Sequence, residues 1–323
     1  MVKEKISVGL DVGHCHINMV ELAGEPQGFK LLDFASVGLD PGQGKEEKLR
    51  QLKKLAQEKG ITALPVNIGV TGESVIVRYI DLPKMSREEV GQALKYEAQQ
   101  YIPFKMEEVI FDYHILEPLD SSPPDRMKVF LVAAKKQTIT EFVELIQQAG
   151  LKPNLIDVNS FSLINCFQFN GPKTKEGDVF GLVNLAFDLV NIDILQGQAP
   201  FFTRDISLLE DVLSLRQQAA GEQKGLFETM RPLLTNLIRE IRVSIDYYES
   251  EFEKRVSVIY LSGEGARVSE LISFFSSQLE RDVNLWNPLQ NLPIDSTQID
   301  TGALKETSSM LALACGLALR GVK

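Results

Sequence analysis

Apolar stretches near the N-terminus of this chain predict a mixed α/β lobe. Three strands are predicted first, at Ile6–Val12, Ile17–Leu22 and Phe29–Val37. A helix is predicted from about Lys45 to Lys59, because leucines recur at helical spacing and lysines and glutamates occupy the other face. The next strand, Val66–Val70, is apolar enough to be buried on both faces. Three consecutive strands, a crossover helix and a central strand together indicate one α/β lobe.

The second half of the chain repeats this order. Strands are predicted at Val179–Leu185, Val190–Leu195 and Pro200–Ile206. A long helical region at about Ser207–Phe252 then precedes a buried strand at Val256–Leu261. Few residues match between the halves, so the repeat is one of architecture. Two lobes built in this order predict an α/β protein with a two-lobed, actin-like (ribonuclease-H-like) fold.

A small unit of its own interrupts the first lobe. Ser86 and Glu89 are placed as a capping box at the start of one helix, and Thr138 and Glu141 as a capping box at the start of another. Two strands are predicted between these helices. The expected division is a first actin-like lobe at 1–82 and 152–176, an inserted α+β subdomain at 83–151, and a second actin-like lobe at 177–323 with its helical subdomain at 206–254.

The turn after the first strand of each half carries the candidate chemistry. In the first half, Asp11 and Gly13 form an Asp-x-Gly at the strand end. Such a carboxylate can reach the water shell of Mg2+, and the glycine lets backbone N–H groups approach phosphate oxygens. In the second half, Asn184 and Ala186 take these places. An amide cannot supply the negative charge, and the Cβ of Ala186 would crowd a phosphate. The second turn is therefore expected to be impaired.

Composition and charge narrow the classes of partner. The chain has 323 residues, a net charge of −10 and a pI near 5.0, which argues against nucleic acid as the main partner. Three cysteines, far apart in the sequence, fit a reducing compartment. The longest apolar stretch, Met310–Leu319, is about half the length of a bilayer span and predicts a buried helix. No secretory signal and no direct membrane span are expected.

Several longer segments resemble a known family. The most specific runs from Asp81 to Phe104, and further matches are Ile156–Leu163, Ile241–Tyr248 and Gly316–Arg320. On these residues the chain resembles the PilM family of type IV pilus assembly proteins, within the actin-like ATPase superfamily. The resemblance covers essentially the whole chain.

The resemblance implies a cytoplasmic scaffold of the inner-membrane pilus assembly platform. It implies binding of ATP, with Mg2+, between the lobes, and contact with the pilus assembly motor ATPases. It also implies that the N-terminal cytoplasmic peptide of a PilN-like inner-membrane protein is held in a groove between the first lobe and the insertion. This partner would keep the protein peripheral to the membrane. Tyr96, Tyr101 and Phe104 are candidates for lining that groove, although their helical spacing is equally that of a plain core.

Carried onto this sequence, the resemblance also names nucleotide-site residues. They are Asp11, Gly13, Asn18, Asn184, Arg239, Glu240, Arg242, Gly263 and Gly265. For the three helix residues a solvated charged face is the alternative, and for the two late glycines a simple strand-to-helix turn.

Departures from the family pattern fall where chemistry would happen. His14, Cys15 and His16 replace the usual hydroxyl and basic residues, and Asn159 replaces the acid near the attacking water. The histidines and the cysteine could form a metal cluster, or a turn that drifted after losing phosphate. An amide cannot act as a general base, so hydrolysis is expected to be weak or lost and no catalytic residue is assigned.

Three other functions are alternatives to a pilus assembly scaffold. One is a working ATPase with rearranged catalytic residues, which Asn159, Asn184 and Ala186 together disfavour. Another is the cytoplasmic part of a type II secretion protein of the GspL kind, which would continue into a membrane span where this chain stops at Lys323. The last is a sugar kinase, for which no segment supplies a clear catalytic acid.

Overall fold

The computed structural model describes residues 5–25, 28–116, 125–173, 175, 177–186, 189–208, 226–267, 270–294 and 299–322. By their internal contacts the residues form two compact units. The larger unit comprises Met1–Val70 and Leu145–Lys323, and the smaller comprises Thr71–Glu144.

Strands in the described part of the chain follow the order expected from the hydrophobic pattern. They are β1 (Ile6–Val12), β2 (His16–Glu25), β3 (Gly28–Gly38), β4 (Pro65–Val70), β5 (Val75–Pro83), β6 (Val109–Ile115), β7 (Arg126–Lys135), β8 (Lys152–Val158), β9 (Val179–Leu185), β10 (Leu189–Gln196), β11 (Ala199–Ser207), β12 (Val258–Ser262) and β13 (Asp282–Leu285).

The α-helices of the same residues connect these strands. They are α1 (Gly44–Glu58), α2 (Arg87–Tyr101), α3 (Lys136–Gln148), α4 (Asn159–Asn170), α5 (Leu226–Phe252), α6 (Leu271–Leu279), α7 (Thr301–Thr307) and α8 (Ala312–Val322). None of the described helices is long and apolar enough to cross a membrane.

The larger unit contains two five-stranded sheets of identical strand order. One runs β3-β2-β1-β4-β8 and the other β11-β10-β9-β12-β13. In each, the first three strands along the chain pair antiparallel, and the last two lie parallel to the first. The ribonuclease-H-like, actin-like order predicted for both halves is therefore confirmed. The β3-β2-β1-β4-β8 half is called the first repeat below, and the β11-β10-β9-β12-β13 half the second repeat.

Helices α4 and α8 join the two repeats through one hydrophobic core. This core contains Leu22 from the first repeat, Phe180 from the second, and Leu163 and Phe167 from α4. Helix α8 lies so close to β1 that a Cβ on Gly9 would overlap the carbonyl oxygen of Ala314. A Cβ on Gly316 would likewise overlap the Ser162 carbonyl of α4. The expectation of a buried helix at Met310–Leu319 is thus confirmed.

The smaller unit is a three-stranded sheet, ordered β5-β7-β6, with α2 packed on one face. Leu94 of α2 and Leu131 of β7 lie in its core. Helix α2 begins with the predicted capping box: Ser86 N–H donates to Glu89 Oε2 at 2.7 Å, and Glu89 N–H donates to Ser86 Oγ at 3.3 Å. Two orphan donors of the first turn are therefore satisfied.

The structure differs from the sequence-based expectation at three places. Strand β5, which the expected division assigned to the first lobe, pairs with β7 of the smaller unit; that three-part division stays a prediction. Helix α3 begins at Lys136, before the predicted cap at Thr138. Strand β13 was not predicted. A break in the long helical region is expected near Gly221–Gly225, and a loop between the two strands of the insertion at Asp120–Asp125; the break and all of that loop except Asp125 lie outside the described residues.

Candidate functional site

The turn between β1 and β2 presents a buried carboxylate. Asp11 pairs with Asn18 in the strand register, and the Gly13 N–H donates to the His16 carbonyl at 2.9 Å to close the turn. Asp11 is only 5% exposed. Its Oδ2 accepts a hydrogen bond from Asn18 Nδ2 at 3.2 Å and lies 3.2 Å from His16 Nε2. One carboxylate oxygen therefore already has two partners from its own turn.

Asn18 is held on both sides of its amide. Its Nδ2 also donates to the Met310 carbonyl at 3.0 Å, and its Oδ1 accepts from Ser36 Oγ at 2.7 Å. These bonds join β1, β2 and β3 to the turn that precedes α8. Because both ends of the amide are engaged, Asn18 has a fixed orientation beneath Asp11.

His16 connects this turn to the second repeat. Its side chain is 6% exposed, and its Nδ1 lies 3.5 Å from Glu264 Oε2. At that separation the contact is an ion pair rather than a well-formed hydrogen bond. Burial alone would lower the pKa of His16, but the carboxylates of Asp11 and Glu264 outweigh it and raise the pKa to about 10. An imidazolium therefore lies between two acids from different repeats.

The described part of the turn between β9 and β10 is closed by a similar backbone bond and has an amide in the place of the acid. The Ala186 N–H donates to the Leu189 carbonyl at 3.1 Å. Asn184 Oδ1 accepts from Ser262 Oγ at 3.0 Å, and its Nδ2 donates to Asn191 Oδ1 at 3.4 Å. Asn184 thus takes the place of Asp11 with neutral hydrogen-bonding partners on both sides.

The glycine-rich segment after β12 is packed onto the end of β9. Gly263 has φ +91°, and a Cβ there would lie 2.6 Å from the Leu185 backbone. A Cβ on Gly265 would lie 3.2 Å from Leu185 Cβ. The Gly263 N–H donates to the Ser309 carbonyl at 2.6 Å. Close packing and a positive φ require glycine at position 263, Gly265 fits tightly against Leu185, and Glu264 between them lies beside His16.

The three predicted site residues of α5 are engaged elsewhere in the described part of the chain. Arg239 Nη2 donates to Asn236 Oδ1 at 3.3 Å on the same helix. Glu240 forms an ion pair with Arg204 of β11 at 2.7 Å. Arg242 donates to the Gln278 carbonyl of α6. None of these bonds reaches Asp11 or Asn184, and the nucleotide role of the three residues stays a prediction.

Asn159, the residue that the sequence resemblance places near the attacking water, is the first residue of α4 and is buried. Its Oδ1 lies against Gly69 of β4, where a Cβ would overlap it. Its amide replaces an acid in a tightly packed position, and it offers no carboxylate to accept a proton.

The second repeat buries one further acid. Asp193 of β10 is 0% exposed, and burial raises the pKa of its carboxyl well above 3.8. The polar neighbours beside it are the hydroxyls of Thr203 and Ser160, and Thr203 Oγ1 donates to Ser160 Oγ at 2.8 Å. Asp205 adds a repulsive charge. The pH range over which this carboxyl stays protonated is therefore extended upward.

Taken together, these groups do not fit a magnesium-bound phosphate in this arrangement. Oδ2 of Asp11 is held by a cationic ring and an amide, which leaves that oxygen little capacity to hold the water shell of Mg2+. The equivalent residue in the second turn is Asn184, which cannot supply charge. Nor can Asn159 serve as a general base.

Comparison with known proteins identifies the family. A family model described as type IV pilus assembly protein PilM matches residues 9–213 and 216–322. The chain belongs to this family. A chain of a solved structure described as a PilM-PilN type IV pilus biogenesis complex is similar to this chain, with a TM-score of 0.84, 26% identity and 98% of both chains covered.

More distant structures resemble this PilM-family chain less closely. One is a Bacteroides thetaiotaomicron protein with an actin-like ATPase fold, with a TM-score of 0.49, 14% identity, and coverage of 89% of this chain and 93% of that chain. Another is the cytoplasmic domain of EpsL, an inner-membrane component of the type II secretion system of Vibrio cholerae. It has a TM-score of 0.47, 10% identity, and coverage of 98% of this chain and 95% of that chain.

The three residues predicted to bind a PilN-like peptide lie on or just after α2. Tyr96 is 84% exposed, whereas Tyr101 and Phe104 pack partly buried against the core of the smaller unit. The ammonium of Lys135 lies 4.4 Å from the centre of the Phe104 ring. Of the three, only Tyr96 is fully presented to solvent, and the partner role of all three stays a prediction.

Sequence reasoning missed the contact that dominates the site of this PilM-family chain. His16 and Glu264 come from opposite ends of the sequence, so no local pattern connects them. One signal was available: His16 is two residues before Asn18, and alternate strand residues share a face. That spacing places the ring on the same side of β2 as the residue that hydrogen-bonds to Asp11.

Proposed function

We propose that this chain is a scaffold of the type IV pilus assembly platform. It acts in the cytoplasm, at the inner membrane, by binding the N-terminal peptide of a PilN-like membrane protein. The observation that carries this proposal is the likeness over the whole chain to a PilM protein from a complex with PilN, at 26% identity and a TM-score of 0.84. Contact with the pilus assembly motor ATPases belongs to the same proposal.

The chemistry of the site supports a scaffold rather than a hydrolase. Phosphoryl transfer depends on metal ions and on a residue that orients the attacking water. Here His16 neutralises Asp11, and amides stand at Asn184 and Asn159. A nucleotide that did bind with Mg2+ would act as a structural ligand that sets the angle between the lobes, and would not be consumed.

The smaller unit supports an extended mode of peptide binding. Strands β5 and β6 are the two outer strands of its sheet in the described part of the chain. An extended peptide can pair with such an edge through its backbone and insert alternate side chains into pockets. The exposed ring of Tyr96 is the candidate for an aromatic contact with the peptide.

Calorimetry with a synthetic N-terminal peptide of the organism's PilN-like protein tests this function. We expect saturable heat from that peptide and none from a scrambled peptide of the same composition. Replacing Tyr96 by Ser should weaken binding by about tenfold, a typical loss for an aromatic anchor. Tyr247→Ser, which removes another exposed aromatic, is the matched control and should bind normally. No heat at high micromolar peptide, with a folded protein, would count against the scaffold.

A phosphate-release assay tests the loss of hydrolysis separately. At saturating Mg-ATP we expect phosphate release no faster than the buffer background. Asn184 cannot supply the negative charge that Mg2+ requires, and Asn159 cannot act as the general base. Turnover that disappears in the Asp11→Ala variant would show instead that the site is a working ATPase.

A further inference from the structure

One buried ring connects the two repeats at the candidate site. His16 Nε2 lies 3.2 Å from Asp11 Oδ2, and His16 Nδ1 lies 3.5 Å from Glu264 Oε2. Asp11 belongs to β1 and Glu264 follows β12, so the two acids come from different sheets. The exposed fractions of the side chains are 6% for His16, 7% for Asp11 and 22% for Glu264.

The geometry is that of a bridge and not of a metal site. The two acids contact different nitrogens of the ring, on opposite edges, so they do not converge on one point with it. Among the described residues no group of three or more potential ligands could hold a metal ion. A cationic ring flanked by two carboxylates satisfies the charges of all three groups without an added ion.

The position of the ring is set by the turn that carries it. A Cβ on Gly13 would lie 3.2 Å from His16 Cε1, so the ring packs directly against the glycine. Asn18 shares the Asp11 oxygen with His16 and is itself anchored to the Met310 carbonyl. The loop that carries Glu264 is fixed by the Gly263–Ser309 backbone bond. Both ends of the bridge therefore rest on well-supported backbone.

We propose that His16 is a built-in tie that fastens the β1–β2 turn of the first repeat to the β12 loop of the second, and takes the place of a bound metal–phosphate group there. The two loops are consequently held together without any ligand. The site does not fit a magnesium nucleotide because the His16 ring already fills the position between the two loops. The inference does not depend on peptide binding, so it and the proposed function can fail independently.

Hydrogen exchange measured by mass spectrometry tests the tie at its far end. In the Glu264→Gln variant, the amides of residues 12–18 in the other repeat should exchange about tenfold faster, the effect of losing one charge-assisted contact of about 1.4 kcal/mol. Glu306→Gln, which alters an exposed acid of α7 in the later part of the chain, is the matched control and should leave that exchange unchanged. Unchanged exchange in Glu264→Gln would overturn the proposal.

Chemical rescue tests the ring itself. The His16→Gly variant should show faster exchange at residues 12–18 and 262–267, and added imidazole should slow both segments toward the wild-type rates. His114→Gly, which removes an exposed histidine of β6, should show neither effect. Failure of imidazole to slow exchange in a folded His16→Gly protein would contradict the tie. Should that variant not fold, Glu264→Gln alone decides the question.

Thermal denaturation with Mg-ADP provides an independent check. A ligand that binds the native state raises the melting temperature. We expect no rise for the wild-type protein, because the ring occupies the position. A clear rise that is equal in the wild-type and Glu264→Gln proteins would show that His16 does not fill the site, and would overturn the proposal.

Discussion

The β1–β2 turn and the described part of the β9–β10 turn are closed by the same kind of backbone bond and differ in the charge of their side chains. Each is closed by an N–H to C=O bond over three residues, from Gly13 to His16 at 2.9 Å and from Ala186 to Leu189 at 3.1 Å. The first turn keeps an acid and supplies it with a cation. The β9–β10 turn has Asn184 in the place of the acid, and the hydrogen-bond partners of Asn184 are neutral. The difference shows that the fold specifies the turn, whereas the charge depends on which partners are within reach.

The cross-strand register makes the comparison close. In the first repeat, Asp11 pairs with Asn18, which pairs with Ser36. In the second, Asn184 pairs with Asn191, which pairs with Asp205. Each set forms a chain of side-chain hydrogen bonds across three strands. The acid of this hydrogen-bonded set is on β1 in the first repeat and on β11 in the second, where it is more accessible to solvent.

The two repeats also bury acids in different ways. Asp193 pairs with Leu182, as Val20 in the first repeat pairs with Gly9, so an acid stands where the first repeat has valine. Asp11 is buried as one member of an ion pair. Asp193 is buried among hydroxyls and favours its neutral form. Three substitutions test this contrast, and we expect their effects to decrease in the order given.

Asn184→Asp transfers the acid of the first turn to the second without its cation. The new carboxylate would be buried and unpaired, so we expect the free energy of unfolding at pH 7 to fall by about 3–5 kcal/mol. Urea denaturation measures the loss, which should shrink near pH 4 as the acid becomes protonated. Asn236→Asp, on the exposed face of α5, is the control and should be nearly neutral. A loss no greater than in that control would mean that the second turn tolerates charge as readily as the first.

Asp11→Asn makes the first turn resemble the second. His16 loses its nearer carboxylate and can respond by giving up its proton, so we expect a smaller loss at pH 7, about 2 kcal/mol. The pKa of His16 is raised from 6.5 to about 10 in the folded protein. Its contribution is therefore fully present below pH 6.5 and is lost as the pH rises through about 10. Denaturation curves from pH 6 to pH 10.5 should show the wild-type and variant stabilities converging. A constant difference over that range would contradict an ion pair at His16.

Asp193→Asn keeps the shape of the buried acid and removes its titration. Because the folded pKa of Asp193 lies above 3.8, wild-type stability is highest below that pH and falls as the pH rises through the folded pKa. The variant escapes this fall, so at pH 7 it should be more stable than wild type by about 1 kcal/mol. The gain should vanish near pH 3, as thermal unfolding at both values can measure. Asp246→Asn on the exposed surface of α5 should show no gain, and a less stable Asp193→Asn protein at pH 7 would refute the neutral acid.

Most of the fold was accessible from the hydrophobic pattern because most strands are long and strongly apolar. Strand β13 was not, since only Val283 of its four residues is buried and the segment carries little hydrophobic signal. The sequence pattern also predicts a strand at Ser74–Leu82, which corresponds to β5, but it does not predict which sheet that strand joins. Which neighbour a strand joins depends on register and crossover geometry, and the composition of a segment does not encode them.

In the candidate site, too, the local contacts could be predicted from the sequence and the long-range contacts could not. The pairing of Asp11 with Asn18 follows from a short hairpin, where a tight turn fixes which residues face each other. The bridge through His16 does not follow, because Glu264 reaches it only after the second repeat has folded. The glycines around Glu264 suggested a ligand loop, and in the structure both also pack closely against Leu185. A spacing of glycines cannot distinguish these two causes.

The packing of α8 has a consequence for how this protein is made. Helix α8, at residues 312–322, packs on β1, β2 and β4, although those strands leave the ribosome first. Strand β3, at the edge of the same sheet, also binds a segment that is synthesised much later: the Leu31 N–H donates to the Pro293 carbonyl at 3.0 Å. The nascent first repeat therefore exposes an apolar sheet face until residues 312–322 have been made, and such surfaces aggregate or recruit chaperones. Folding of the first repeat is completed only when α8 covers β1.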